Sequence, residues 1–189
     1  MVERVYAERG AVDVLVNSAG AALRTPFPEL TPQAWHDAMQ AKFFAYVHVM
    51  DPVIKRMGAA GSGAIVNVVG AGGKVASPTH LAGGSANAAL MLASAGLATA
   101  YAPQGVRVNV VNPGLTRTDR LKEGIAADAR LSGVTEAQAL ARHEERLPMG
   151  RMAEPGEIAD AVVYLASARA SYISGAVVAM DGCIVPMVV

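Results

Sequence analysis

Short runs rich in valine and isoleucine alternate along the chain with segments whose apolar residues recur at helical spacing. Each run is apolar over most of its length, which is typical of strands that are buried on both faces in a parallel sheet. Strands that alternate with helices are joined by right-handed crossovers. The sequence therefore predicts one α/β domain over residues 1–189, with about four parallel strands at residues 12–16, 65–69, 105–114 and 174–182.

The segments between these strands carry helix signals. Thr31 followed by Pro32 is typical of a helix start, and helical spacing continues to Met50. Pro52 predicts a break or a kink after that point. The other predicted helices lie at residues 2–9, 85–101 and 155–165, with two short ones in the polar segment 117–148. We expect the two short helices to form a flap over the strand ends.

Composition and charge exclude several classes of partner. Hydrophobic residues make up 52% of the chain and charged residues 17%, which fits a buried sheet rather than a disordered chain. Lys and Arg equal Asp and Glu at 16 each, so no net charge attracts nucleic acid or an acidic membrane. The sequence shows no run of about 18 apolar residues, no secretory signal and no metal-ligand spacing. With Cys183 as the single cysteine, we expect a cytoplasmic protein that contacts neither nucleic acid nor membrane.

Five glycines follow the second predicted strand, at positions 70, 72, 73, 83 and 84. In open α/β sheets, ligands bind beyond the carboxyl ends of the parallel strands, which is where this segment begins. Glycines remove side chains there, so the sequence predicts an enlarged pocket for a small-molecule ligand. Drift at a site no longer in use explains the same glycines, and the residues leave this alternative open.

Several segments resemble the short-chain dehydrogenase/reductase family, especially its β-ketoacyl-reductase-like members. The resemblance covers the whole chain and rests on residues 13–20 (DVLVNSAG), 65–68 (IVNV), 106–114 (VRVNVVNPG), 150–159 (GRMAEPGEIA) and 174–182 (SGAVVAMDG). It implies a doubly wound, Rossmann-like parallel sheet. The family's first three strands and its glycine-rich phosphate loop would precede this chain. We therefore expect a truncated domain with a partial sheet that lacks those strands.

The family's catalytic tetrad can be placed on this sequence by gapless spacing. Its asparagine falls on Lys42, its serine on Gly70, and its Tyr-x-x-x-Lys pair on Gly83 and Asn87. The resemblance implies that the tyrosine gives a proton to the carbonyl oxygen as hydride arrives, while the lysine lowers the tyrosine pKa. Such acid-base help is worth roughly 10²- to 10⁴-fold. With all four residues replaced, we expect a chain that binds no nicotinamide cofactor and transfers no hydride.

The expected function is then a cofactor-independent, non-redox reaction of the cyclase, isomerase or lyase type on a small apolar carbonyl compound. A non-catalytic binding subunit is one alternative, so the sequence leaves open whether the chain is an enzyme. The other alternative keeps the family's chemistry, as an NAD(P)-dependent oxidoreductase completed by a missing or separate amino-terminal part. Saturable binding of a nicotinamide nucleotide separates the last possibility from the first two.

His80 and Lys42 are the candidate catalytic residues. His80 lies in the loop that should border the pocket, and imidazole titrates near neutral pH; a solvated bystander is the alternative. Lys42 either points its ammonium into the pocket, where it would polarise a carbonyl, or extends to solvent with its stem packed on the helix. The predicted pocket residues are Asn17, Gly70, Gly83, Asn87, Pro113 and Thr118. Among these, the first and the last two resemble the family's cofactor groove, with turn geometry as their alternative role.

The first predicted strand should lack a neighbour. In the family's strand order, a strand absent from this chain would pair with residues 12–16. Apolar strands with an unpaired edge tend to pair with another chain. We therefore expect a homo-oligomer that forms through this edge, unless residues 1–11 fold over it. The predicted helices at 35–50 and 85–101 resemble the family's usual dimer helices and offer a two-fold interface.

Overall fold

Four parallel strands form one sheet in the computed structural model, which describes residues 1–20 and 22–186. The strands lie in the order β1-β2-β3-β4, and Ile65 of the second strand faces Leu15 on one side and Val108 on the other. Their bounds are Val14–Asn17 for β1, Gly63–Val68 for β2, Val106–Pro113 for β3 and Val177–Met180 for β4. The predicted α/β fold with four parallel strands is confirmed.

Helices connect and flank these strands. In the part of the chain that is described, they are α1 Val2–Arg9, α2 Pro32–Ala38, α3 Ala45–Ala60, α4 Leu81–Tyr101, α5 Asp119–Ser132, α6 Glu136–Glu144 and α7 Pro155–Ala166. The α2 start is as predicted, because the Ala34 N–H donates to Thr31 Oγ1 at 3.2 Å and Pro32 is the first helical residue. The two short helices predicted in the polar segment are α5 and α6.

The helix around Pro52 differs from the prediction. α3 continues through this proline without a break. Proline removes one helical hydrogen bond and leaves the carbonyl four residues earlier without its donor. Here that residue is His48, which is exposed, so water can satisfy the carbonyl. The irregular backbone lies upstream, where Met39–Phe44 form a π-helical turn between α2 and α3.

Each face of the sheet buries its own apolar cluster. On one face, Ile65 packs with residues of α3 and α4 such as Ile54 and Leu90. On the other face, its neighbour Val66 packs with Val111 and with Ile158, Val162 and Leu165 of α7. Successive strand residues point to opposite faces, so both faces of β2 are covered. This burial is the reason for the nearly continuous apolar runs in the sequence.

The segment Leu81–Gln104, which contains α4, is long and apolar enough to cross a membrane by length and composition. Half of its most apolar window is buried inside the domain, where Ala86 and Leu90 have no exposed surface. The core helix of a soluble protein passes the same test. This segment is therefore weak evidence for a membrane span.

The outer edge of β1 has no strand beside it among the described residues. Val14 and Val16 are each 44% exposed there. α1 does not cover them, because it packs against α3, where Arg56 contacts Glu3 at 2.6 Å and lies over the Tyr6 ring. The edge that the sequence predicted is therefore present and open.

A buried polar network joins the middle of the sheet to α4. The Asn67 side chain has no exposed surface and bonds in two directions. Its Oδ1 accepts from Asn17 Nδ2 at 2.8 Å, and its Nδ2 donates to Ser94 Oγ at 2.9 Å. The Ser94 hydroxyl in turn donates to the Leu90 carbonyl at 2.6 Å. One amide thus links β1, β2 and α4.

Replacing this amide should destabilise the fold. Asn67→Leu keeps a similar volume but leaves the buried Asn17 amide without its acceptor, and an unsatisfied buried polar group costs about 1–3 kcal/mol. We expect the free energy of unfolding in urea to fall by about 2 kcal/mol or more. Thr99→Ala is the control, since its hydroxyl bonds on the exposed side of the same helix, and it should stay within about 0.5 kcal/mol of the parent protein. Equal losses for the two variants would contradict a structural role for the network.

Candidate active site

The carboxyl ends of the strands open into one cleft of about 270 Å³. Ser18 and Gly20 line it after β1, Gly70 after β2, and Pro113 and Gly114 at the end of β3. Residues of α5 and α6 complete the lining. Open α/β sheets bind their ligands in this place.

Six of the eight predicted site residues line this cleft, namely His80, Lys42, Gly70, Asn87, Pro113 and Thr118. Asn17 and Gly83 do not. The Asn17 side chain turns into the sheet, where it bonds to Asn67. Gly83 is buried in the first turn of α4, beside the ring of His80.

The His80 imidazole stands in the space that side chains at positions 72 and 83 would need. A β-carbon added to Gly83 would lie 2.8 Å from His80 Nδ1, and one added to Gly72 would lie 2.7 Å from His80 Cδ2. Real β-carbons do not come this close to other heavy atoms. The ring can therefore occupy this place only because both positions are glycine. At these two positions the glycines make room for a side chain rather than for a larger pocket.

Lys42 extends into the same cleft from the π-helical turn. Within residues 1–20 and 22–186, its ammonium forms no hydrogen bond or ion pair, and Nζ lies 6.0 Å from the centroid of the Tyr46 ring. Burial, with a smaller contribution from the charge of Arg120, lowers the pKa of Lys42 to about 8. Both protonation states of this amine are therefore populated near neutral pH, as a proton-transfer group requires.

Burial is also the main influence on the pKa of His80. Together with the charges of Arg24, Lys42 and Arg120, it lowers the pKa of His80 to about 4, so the ring is neutral at pH 7. Its Nδ1 atom is buried without a hydrogen-bond partner among the described residues, as is the Oδ1 atom of Asn87. Each such atom costs free energy until a partner reaches it.

Four further titratable residues line the cleft that the sequence did not single out as site residues: Arg24, Arg120, Asp128 and His143. Arg24 belongs to the loop after β1, and the other three belong to the flap. The polar character of the segment 117–148 predicted a flap over the strand ends. No spacing in the sequence indicated that its side chains meet Lys42 and His80.

Asp128 of α5 ties the flap to the loop before α4. Its Oδ1 accepts a 2.5 Å hydrogen bond from the Thr79 hydroxyl, and its Oδ2 lies 2.8 Å from His143 Nε2 of α6. Burial alone would raise the pKa of Asp128, but the hydrogen bonds from His143 and Thr79 outweigh it and hold this pKa below its usual value. The charged carboxylate thus joins three segments that border the cleft.

Comparison with known proteins gives the family. A family model described as Enoyl-(Acyl carrier protein) reductase matches residues 1–184. The chain belongs to the short-chain dehydrogenase/reductase family. The cis-4-hydroxycyclohexanecarboxylate dehydrogenase of Sinomonas cyclohexanicum is 37% identical to it over 183 residues, which are 96% of this chain and 69% of that enzyme.

Solved structures of the family share this fold. The gluconate 5-dehydrogenase of Burkholderia cenocepacia, in complex with NADP and tartrate, matches at a TM-score of 0.84 and 28% identity, over 97% of this chain and 68% of that one. A short chain oxidoreductase of Pseudomonas aeruginosa, with NADPH bound and an atypical catalytic center, matches at a TM-score of 0.84 and 30% identity, over 99% and 71%. The chain thus spans about two thirds of the length of these relatives.

These relatives correct the expected function. The prediction of a non-redox cyclase, isomerase or lyase is wrong, because the relatives are dehydrogenases and reductases. The expectations of a cofactor-independent protein and of a degenerate site conflict with the same finding. Absence of the Tyr-x-x-x-Lys pair does not by itself imply absence of hydride transfer. The Pseudomonas relative is a short chain oxidoreductase with NADPH bound and an atypical catalytic center, so NADPH binding and an atypical center occur together in this family.

Asp128→Asn should loosen the flap, because a neutral amide cannot hold Thr79 and His143 as the carboxylate does. We expect faster amide hydrogen exchange in α5 and α6, with little change in α7. Asp119→Asn is the control, since that carboxylate is 99% exposed. Because the folded pKa of Asp128 is depressed, its contribution is present above the unfolded pKa of about 3.9 and is lost as pH falls through the lower folded value. Unchanged exchange in Asp128→Asn would exclude this anchoring role.

Proposed function

We propose that this chain carries the substrate end of an NAD(P)-dependent oxidoreductase that interconverts a small alcohol and the corresponding ketone. The observation that carries the proposal is the Lys42 ammonium, which has no partner among the described residues and lies in the ligand cleft with a pKa of about 8. The names of the relatives, two dehydrogenases and an NADPH-bound oxidoreductase, support the same reaction class.

The residues present fit the nicotinamide end of the cofactor. Gly20, Pro113 and Thr118 line one part of the cleft, and a β-carbon added to Gly70 would meet only the Asn87 amide within 4 Å. The unpartnered Oδ1 of Asn87 has the chemistry to accept a hydrogen bond from a ribose hydroxyl. A nicotinamide nucleotide, when bound, supplies the hydride that is added to the carbonyl carbon.

In this proposal, all four residues of the family's catalytic tetrad are replaced. Lys42, Gly70, Gly83 and Asn87 stand at the positions of the family's asparagine, serine, tyrosine and lysine. Strands outside the given residues complete the sheet at the β1 edge. Support comes from the open edge at Val14–Asn17 and from relatives that are longer than this chain.

Lys42 is the better proton donor of the two candidates. A general acid works best when its pKa lies near the working pH. Lys42, with a pKa of about 8, is mostly protonated at pH 7, whereas His80, with a pKa of about 4, carries a proton in only about one molecule in a thousand. In reduction, the ammonium gives its proton to the carbonyl oxygen as the carbon gains hydride. The neutral amine then recovers a proton from solvent.

His80 acts in this scheme as a neutral hydrogen-bonding group. A neutral imidazole has one N–H donor and one acceptor nitrogen, so it can orient the substrate oxygen toward Lys42. Its ring position is fixed by contact with Gly72 and Gly83 rather than by hydrogen bonds. In alcohol oxidation the roles reverse, and neutral Lys42 takes the proton from the hydroxyl.

We also propose that the protein is cytoplasmic and self-associates. The open edge of β1 supports strand pairing with a second copy. An apolar groove between α3 and α4, lined by Phe43, Val47 and Leu97, supports the helical two-fold interface as the other arrangement. A strictly monomeric protein at micromolar concentration in analytical ultracentrifugation excludes both.

The proposed function is tested by turnover. Titration of NADH and NADPH against Trp35 fluorescence should saturate, and NADPH oxidation should depend on an added ketone. Lys42→Met should lower the rate of reduction by roughly 10²- to 10⁴-fold, with little change in nucleotide affinity. Because the acid form is required, the parent rate should fall as pH rises through about 8, and this fall should vanish in Lys42→Met. A chain that neither binds nucleotide nor reduces any ketone would end the proposal.

Gly83→Ala tests the place of the His80 ring. The added β-carbon would lie within 3 Å of the imidazole, so the ring must leave its position and the rate should drop at least tenfold. Gly96→Ala is a matched control in the same helix, since nothing lies within 4 Å of its added carbon. It should keep full activity and gain up to about 1 kcal/mol of stability. Equal activity of the two variants would remove His80 from the mechanism.

A further inference from the structure

Arg24 differs from Arg120, the other arginine that lines the cleft. Its guanidinium is half-buried in the cleft and forms no hydrogen bond or ion pair with any residue in 1–20 or 22–186. By contrast, Arg120 donates to Glu123 and to the Ala22 carbonyl, both at 2.8 Å. Arg130 and Arg117 pair with glutamates at 3.4 Å and 3.2 Å. Arg24 is therefore a cation held in a ligand cleft without a counterion.

The carboxylate with the largest electrostatic effect on Arg24 forms no ion pair with it. Asp128 acts on Arg24 through its charge, but no contact between them falls within ion-pair distance. Both Asp128 oxygens are already engaged, one by Thr79 and the other by His143. Burial lowers the pKa of Arg24, as expected for a charge that is removed from water without full compensation. Within the described residues, Arg24 thus lacks a paired negative charge.

The guanidinium of Arg24 lies against α5 at Gly124. A β-carbon added to Gly124 would lie 3.0 Å from Arg24 Nε and 3.1 Å from its Cδ. With any larger residue at this position, the guanidinium would have to move away from the helix by a few tenths of an ångström. Among the described residues, Gly124 is a buried glycine inside a regular helix, where glycine costs about 1 kcal/mol relative to alanine. The glycine at this position leaves room for the close contact with Arg24.

We propose that Arg24 binds a carboxylate of the substrate, so that the protein acts on small hydroxy acids or oxo acids with an apolar body. The proposal rests on the proposed function. A guanidinium presents parallel N–H donors that match the two oxygens of a carboxylate. The apolar part of such a substrate fits the side chains of Val68, Leu115, Leu121 and Ile125, which line the same cleft. Arg24 then binds the carboxylate end of the substrate, while Lys42 exchanges a proton with the reacting oxygen.

The test is binding of two probes that differ only in charge. Cyclohexanecarboxylate and cyclohexanecarboxamide are titrated separately into the protein and followed by ligand-observed NMR, which needs neither nucleotide nor turnover. The parent protein should bind the carboxylate more tightly. Arg24→Gln should weaken binding of the carboxylate roughly 10- to 100-fold and leave binding of the carboxamide unchanged. Arg130→Gln, which removes an exposed arginine of α5, should change neither affinity.

A second variant keeps the proposal testable if Arg24→Gln folds poorly. Gly124→Ala retains the arginine but shifts its guanidinium by a few tenths of an ångström, and it should weaken carboxylate binding about two- to fivefold while the thermal midpoint stays within a few degrees of the parent. Equal affinity of the parent for the two probes overturns the proposal. So does a loss of NADPH affinity in Arg24→Gln with carboxylate affinity intact, since the arginine would then bind a nucleotide phosphate. Carboxylate binding without NADPH turnover would instead overturn only the proposed function.

Discussion

The parallel pairing of β2 on both of its edges is the constraint on which the rest of this structure depends. With both faces buried as well, β2 has no freedom of register, because a slip by one residue would exchange the two apolar clusters. The hydrogen bonds of the Asn67 amide to Asn17 and Ser94 hold the same register. The carboxyl ends of the strands lie within about two residues of one register level, and the candidate site is built at that edge.

At that edge, the His80 ring fills the space that side chains at positions 72 and 83 would otherwise take. Glycine at positions 72 and 83 looks like an empty site in the sequence, but the His80 ring occupies the space. The three residues form a unit, since none can change size without moving another. Gly124 and Arg24 form a second unit of the same kind on the flap side. Glycines in this cleft are thus best understood through the side chains that lie against them.

The sequence predicted the fold well and the site only in part. Strands, flap and most helix bounds followed from local patterns. The α3 helix continues through Pro52 at a place where His48, whose carbonyl loses its donor, is an exposed residue. Lys42 and His80 could be proposed from alignment with the family's motifs. Arg24 and Asp128 could not, because their roles arise from contacts between segments about 50 to 100 residues apart, such as Thr79 with Asp128. The error in function came from treating one proton donor as the only possible one, although a buried amine can take a pKa suited to the task.

The position of the cleft's cations sets the range over which they can attract a charged ligand. The chain as a whole has no net charge, so it exerts little long-range pull on polyanions such as nucleic acid. At physiological ionic strength, electrostatic fields are screened within about 8 Å. Attraction by Arg24 and Lys42 is therefore felt only at the mouth of the cleft, where the low-dielectric walls concentrate it. Under the proposed function, a small anionic substrate is therefore attracted only at the last step of its approach to the cleft.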